Sequence, residues 1–283
     1  MKTILIPIDF SGNPNSLINY AVGFGQQFKC KLLFFHSALT LIPGSGTQST
    51  YEDAVQKEVK SKSEVLARKV AMSCQRLHVV PAKLHWEYEV KYGGNVVDDI
   101  LQLTNEKKID LIIISTHGSS GLKKFFLGST SSAIIAKAHI PVLAVPLKYK
   151  FGLIKQLVYA SDLLDPVNEL SQVIGIAKRL HTQVGIVNFN YGMSDADDTL
   201  LKLVRDAGIT YREVKISIGA PLIDHMRLYM KRKSNCILCM FTEHRTKLEK
   251  ILMFGSMTAS IVEGLKFPLL ALPKVPAKVS VPK

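Results

Sequence analysis

Two pairs of stretches far apart in this chain carry nearly the same residues in the same order. His139-Ile140-Pro141-Val142-Leu143-Ala144-Val145-Pro146 returns as Lys266-Phe267-Pro268-Leu269-Leu270-Ala271-Leu272-Pro273. Phe125-Phe126-Leu127-Gly128-Ser129-Thr130-Ser131 returns as Leu252-Met253-Phe254-Gly255-Ser256-Met257-Thr258. The apolar opening that ends at Asp9 is echoed by residues 154–162, which end at Asp162. An internal repeat of this kind means a duplicated domain. Asp9 and Asp162 are 153 positions apart, whereas Gly128 and Gly255 are only 127 apart, so the second copy is 26 residues shorter between these marks. The missing length is assigned to the stretch after the second strand. There the first copy has a Gly/Ser loop at 43–50 and a long charged helix at 51–76. A length of 283 residues suits two ordinary domains, placed here at 1–148 and 152–275.

Each copy alternates short apolar runs with helical patterns. In the first, residues 3–9, 31–36, 84–90, 110–115 and 141–146 read as strands, and residues 14–28, 51–76, 95–106 and 129–138 as helices. Continuous apolar runs such as Leu111-Ile112-Ile113-Ile114 suit strands buried on both faces of a parallel sheet. Strands alternating with helices predict two α/β domains, each a doubly wound, mainly parallel five-stranded sheet. In such sheets ligands sit beyond the C-terminal strand ends, at the point where the strand order reverses.

Composition narrows the function classes. The net charge of +13 is spread evenly: 17 basic and 11 acidic residues at 1–148, then 19 and 12 at 149–283. Without a clustered arm or stripe, it reads as a basic surface and not as a specific nucleic-acid interface. No apolar run reaches 18 residues, so no membrane span is expected. The opening run, broken by Pro7 and Asp9, is not expected to act as a secretory leader. Cys236 and Cys239 form a C-x-x-C inside an apolar strand, where positions i and i+3 face opposite sides. All four cysteines therefore read as reduced structural thiols, and the expected location is the cytoplasm.

One loop carries candidate chemistry. Ser115-Thr116-His117-Gly118 is followed, nine residues on, by Gly128-Ser129-Thr130. Gly118 and Gly121 permit close backbone approach, and Gly128-Ser129-Thr130 opens a helix whose unpaired N–H groups favour an anion. The pattern is a phosphate-cradle candidate, and equally an ordinary connection with a serine cap.

These residues resemble the universal stress protein (UspA) family in its tandem two-domain form. The resemblance rests on Ile4-Leu5-Ile6-Pro7-Ile8-Asp9-Phe10-Ser11, Asp110-Leu111-Ile112-Ile113-Ile114, the loop 115–129 and Pro141-Val142-Leu143-Ala144-Val145-Pro146. The family motif is G-x-x-G, nine residues, then G and Ser or Thr. Gly118, Gly128 and Ser129 match it, and Ser115 stands at the first glycine. The resemblance implies a Rossmann-like, adenine nucleotide alpha hydrolase-like fold. It also implies ATP or a related adenine nucleotide, with or without Mg²⁺, in the first copy. Pro7, Ile8 and Asp9 would meet the nucleoside, Ser37 after the second strand would present backbone to adenine, and Ser115, His117, Gly118, Gly128, Ser129 and Thr130 would surround the phosphates. In the second copy, Thr242-Glu243-His244-Arg245 lacks glycine, so nucleotide of this type is not expected there.

Ser120-x-x-Lys123 lacks the companions of a Ser/Lys nucleophile, and nothing supplies a base for attack on a γ-phosphate. The chain reads as a nucleotide-binding stress or signalling protein and not as an enzyme, with slow ATP hydrolysis left open. The alternatives are a nucleotide-free protein-interaction scaffold and an enzyme acting on a phosphorylated small molecule. The expected assembly is an intramolecular pseudo-dimer, with a homodimer and a protein partner open.

Overall fold

The structure is a computed structural model; it describes residues 1–10, 14–38, 48–116, 129–147, 149–190, 192, 196–217, 221–242 and 267–273. The first half runs β1 (Thr3–Pro7), α1 (Asn15–Phe28), β2 (Lys31–Ala38), α2 (Gln48–Arg76), β3 (Trp86–Tyr92), α3 (Val96–Glu106), β4 (Leu111–Ser115), α4 (Ser129–Lys137) and β5 (Val142–Val145). The second runs β6 (Gln156–Ser161), α5 (Pro166–Arg179), β7 (Gln183–Asn190), α6 (Asp198–Asp206), β8 (Thr210–Lys215), α7 (Leu222–Lys231), β9 (Cys236–Thr242) and β10 (Leu269–Pro273). The strands form one sheet in the order β3-β2-β1-β4-β5-β10-β9-β6-β7-β8. Among the described residues every pairing within a half is parallel, and the antiparallel pair, β5 with β10, joins the halves.

The register of that joint is symmetric about the duplication. Leu269 pairs with Ala144, Leu270 with Leu143, and Ala271 with Val142. Leu143 and Leu270 are the same position in the two copies, so the pseudo-twofold axis passes between them. The joint is therefore isologous, the arrangement of a symmetric dimer held within one chain. It also sets the strands of the two halves running in opposite directions, which puts their C-terminal strand ends on opposite edges of the sheet.

Helices cover both faces, as alternation along buried strands requires. On one face Ile4, Ile6 and Ile8 of the first opening run pack with Ile18 and Phe24 of α1 and Leu66 and Val70 of α2. That core continues into the second half through Leu170 of α5 and Leu200 of α6. On the other face Leu5, Phe35, Ile112 and Ile114 meet Ile100 of α3 and Ile135 of α4. Val158 and Leu238 meet Met226 and Met230 of α7 there. The Gln27 side-chain amide ties the halves further, donating to the Ile154 carbonyl at 2.6 Å and accepting from its N–H at 2.8 Å.

Several boundaries differ from those read in the sequence. Strand β1 stops at Pro7, which leaves Asp9 beyond the ladder. Strand β3 lies two residues later than expected, because a single 3-10 turn at Pro81–Lys83 carries the chain through Leu84. Helix α2 takes in residues 48–50, which the sequence reading gave to a loop. Strand β2 extends to Ala38, so Ser37 lies inside the strand and not after it. All four cysteines are free and buried. Cys236 and Cys239 belong to cores on opposite faces, as strand alternation demands. Burial pushes the Cys30 thiol up to about 12, far from the reactive thiolate range. Among the described residues, no helix is long and apolar enough to cross a membrane.

Candidate functional site

In the first half the chain winds outward from β1 to β2 and β3, then returns to place β4 on the other side of β1. The strand order thus reverses between β1 and β4, and the crevice outside their C-terminal ends is the expected ligand position in this architecture. Asp9 is exposed at that mouth, just past the buried Ile8. The Ile8 N–H donates to the Phe35 carbonyl at 2.8 Å, the last rung joining this segment to β2. Ser115 ends β4, in register with Val145 of β5. The Ser131 hydroxyl, in the first turn of α4, donates to the Ser115 carbonyl at 2.9 Å. The next residue, Thr116, is buried, and its N–H donates to the Val145 carbonyl at 3.0 Å. Together these bonds hold the N-terminus of α4 against the end of β4. Ser115 is in strand conformation, so the position does not call on a glycine's left-handed freedom. Thr130 is exposed on α4. His117, Gly118, Gly128 and the Ser129 side chain lie outside the described residues.

Ser37 takes a different part from the one read in the sequence. Its hydroxyl donates to the buried Asp99 carboxylate at 2.9 Å, and Lys91 pairs with the other Asp99 oxygen at 2.8 Å. Its backbone still faces the β1 side. Odd-numbered residues of β2 bond to the β1 segment, as the Lys31 N–H to Lys2 carbonyl and Ile8 N–H to Phe35 carbonyl bonds do. Ser37 therefore directs its N–H and carbonyl past the last β1 rung, toward the crevice. Gly94 is packed beneath this cluster: a Cβ there would collide with the Asp99 carboxylate. The carboxylate is held on both oxygens and cannot yield cheaply. Gly94→Ala is expected to destabilise the fold by about 1–3 kcal/mol, read as a lower urea midpoint with an unchanged slope.

Sequence reasoning missed a second cluster beside Asp9. His36 Nδ1 lies 3.0 Å from the Ile8 carbonyl, and its Nε2 lies 3.0 Å from the Lys62 ammonium. A carbonyl only accepts, so Nδ1 carries the proton and Nε2 accepts from Lys62. The Lys62 ammonium also pairs with Glu58 at 2.5 Å and sits 5.9 Å from the Phe10 ring centroid. Phe10 in turn meets His36 edge-on, with centroids 5.2 Å apart. Burial, and then the Lys62 charge, pull the His36 pKa below its ordinary value, while the bond to Ile8 opposes them. The hydrogen bond from Lys62 draws the Glu58 carboxyl down as well. Only the Glu58–Lys62 spacing of four on α2 was visible in the sequence. The partner on β2 is not local.

The second half keeps half of this device. Ser161 of β6 is in register with Asn188 of β7, the relation that Ile8 bears to His36. The Asn188 amide donates to the Ser161 carbonyl at 3.1 Å, as the His36 ring does to Ile8. The second copy has a 9-residue helix α6 where the first has the 29-residue α2. Among the described residues nothing takes the place of Lys62, and Asn188 Oδ1 is buried with no hydrogen-bond partner. Asp162 accepts the Leu164 N–H at 3.0 Å, closing a local turn. Among the described residues, no group of three or more His, Cys, Asp or Glu side chains could hold a metal ion.

A sequence model described as the universal stress protein family matches residues 1–146, about half of the chain. The chain belongs to the universal stress protein family. A universal stress protein of Methanocaldococcus jannaschii is 26% identical over 148 residues, covering 51% of this chain and 81% of its own length. One of Thermus aquaticus is 29% identical over 144 residues, covering 51% of this chain and 98% of its own. Each of these relatives thus matches about half of the chain. The crystal structure of a universal stress protein from Archaeoglobus fulgidus covers 97% of both chains, with a TM-score of 0.65 and 16% identity. That likeness extends the shared α/β fold over the whole length.

Proposed function

We propose that this universal stress protein binds an adenine nucleotide of the ATP type in the crevice of its first half. Occupancy there would govern a cytoplasmic stress-response or signalling output, with the second half serving packing and regulation. The observation that carries the reading is the Ser131–Ser115 bond. It holds the α4 N-terminus, the end of a helix that favours an anion, at the strand-order reversal beside the exposed Asp9. Asp9, with Pro7 and Ile8 before it, is assigned to the nucleoside, and the Ser37 backbone to the base. Ser115, His117, Gly118, Gly128, Ser129 and Thr130 are assigned to the phosphates. Phosphates held by N–H groups and hydroxyls can bring Mg²⁺ with them, and the reading requires no protein carboxylate for the metal. In the second half, Asp162 is engaged in its own turn, and the glycine-free Thr242-Glu243-His244-Arg245 supplies no equivalent cradle.

Native mass spectrometry of gently purified protein, followed by identification of any released small molecule, tests the reading. One adenine nucleotide per chain is the expected result. Two per chain would overturn the reading of the second half. No ligand, and no thermal shift with millimolar ATP and Mg²⁺, would leave a nucleotide-free interaction scaffold. Asp9→Asn is expected to weaken ATP about tenfold or more, the scale of one charge-assisted hydrogen bond, with little change in stability because Asp9 is exposed. Isothermal titration with ATP measures it.

A further inference from the structure

At the opposite end of the first half's strands, the starts of β1, β2 and β3 line an open, solvent-facing concavity of about 540 Å³. Its wall carries Lys2, Lys29, Lys31, His85, Trp86 and Glu87. Three segments distant in sequence meet there because the ladder brings them together. The Lys31 N–H donates to the Lys2 carbonyl at 2.8 Å, and the Leu32 N–H to the His85 carbonyl at 2.9 Å. Lys29 caps α1 in the left-handed conformation, and this turn leads the chain from the helix back into β2.

The charges of the wall do not cancel. Lys31 pairs with Glu87 at 2.6 Å. Lys2 and Lys29 have no carboxylate partner among the described residues. The Asp110 carboxylate at the edge of this region accepts the backbone N–H groups of Lys2 and Thr3, at 2.6 and 3.1 Å, and even counting its charge with that of Glu87 the three lysines leave a positive excess. Buried Leu84 and half-buried Trp86 give the concavity an apolar side. A low-dielectric wall concentrates the field of nearby cations and raises the local concentration of anions. The even spread of charge along the sequence hid this convergence, since positions 2, 29 and 31 form no linear basic run.

We propose that this cavity binds a compact, multiply charged anion of the polyphosphate class. Its volume suits a small molecule. It lies about 20 Å from the nucleotide crevice, six strand residues away along β3 from Trp86 to Tyr92. Binding here and binding in the crevice are therefore separate events, and this site stands whether or not the crevice takes ATP.

Trp86 is the only tryptophan of the chain, so its emission reports this cavity alone. Inorganic tripolyphosphate titrated into the full-length protein should change that emission saturably, with an affinity that falls as salt is added. The double variant Lys2→Glu, Lys29→Glu should weaken binding about tenfold or more, while the charge-preserving Lys2→Arg, Lys29→Arg should leave it unchanged. Both lysines are exposed, and far-ultraviolet circular dichroism verifies that the double variant is folded. No saturable change, or equal affinity in the double variant, would overturn the proposal. So would a single-stranded RNA oligonucleotide that displaces tripolyphosphate and binds more tightly per phosphate, which would assign the surface to nucleic acid.

Discussion

Leu143→Ala and Leu270→Ala are each expected to remove about 2–5 kcal/mol from the stability of the chain, measured by urea unfolding. Both side chains are fully or almost fully buried, at 0% and 2% exposure, so no solvent can relax into the space left. The effect has a second component because they face each other across the β5–β10 ladder. Residues in contact do not contribute independently, so the double variant should cost less than the sum of the singles by about 0.5–3 kcal/mol. The duplication sharpens the expectation. The two positions are one position seen twice, lying about the pseudo-twofold axis, and the single losses should be close to equal. Leu5→Ala, equally buried but remote from the joint, is the comparison. It should add to either variant without coupling. Additivity between Leu143→Ala and Leu270→Ala would show that the joint does not govern stability and that the halves fold as independent units.

That joint was only partly legible in the sequence. The repeat of Pro-Val-Leu-Ala-Val-Pro as Pro-Leu-Leu-Ala-Leu-Pro announced a duplicated edge strand, and symmetric pairing of duplicates is the simplest way to bury two such edges. The choice of Leu143 opposite Leu270 was not announced, because register is set by the packing of both faces at once. Strand and helix identity in the first half came through because buried parallel strands are written as apolar runs. Boundaries such as the end of β1 and the start of β3 were set by turns and ladder contacts that no local pattern encodes. At the crevice, Ser115 was legible as a strand end, whereas Asp9, read as one, lies two residues past the end of β1. The role of Ser37 was not, because Asp99 and Lys91 reach it from α3 and β3. His36 drew no attention as one residue in an apolar run, since its meaning depends on Lys62 arriving from a helix 26 residues later.

His36 is also where acidity should be felt first. Its folded pKa lies below the ordinary 6.5, chiefly because burial disfavours the imidazolium and then because the Lys62 ammonium sits against Nε2. The sign follows directly. Between 6.5 and the lower folded value, the unfolded chain takes up a proton that the folded chain refuses. This stabilising contribution is complete above 6.5 and is lost as pH falls through the window toward the folded value. Within it, stability should drop by about 1.4 kcal/mol per pH unit. Asp9 and Glu58 face the ring as anions and Lys62 as a cation, and the lowered Glu58 pKa keeps that carboxylate charged across the window. The second half supplies the control substitution, since Asn188 makes the same bond to Ser161 without titrating. His36→Asn should keep the bridge to the Ile8 carbonyl and give Lys62 an amide oxygen as acceptor. The difference in unfolding free energy between wild type and variant, followed from about pH 7 to 5, should be flat above 6.5 and fall below it. A difference that stays flat throughout would mean that His36 holds its proton equally well folded and unfolded. In that case neither the burial of the ring nor the neighbouring Lys62 ammonium would bear on its proton.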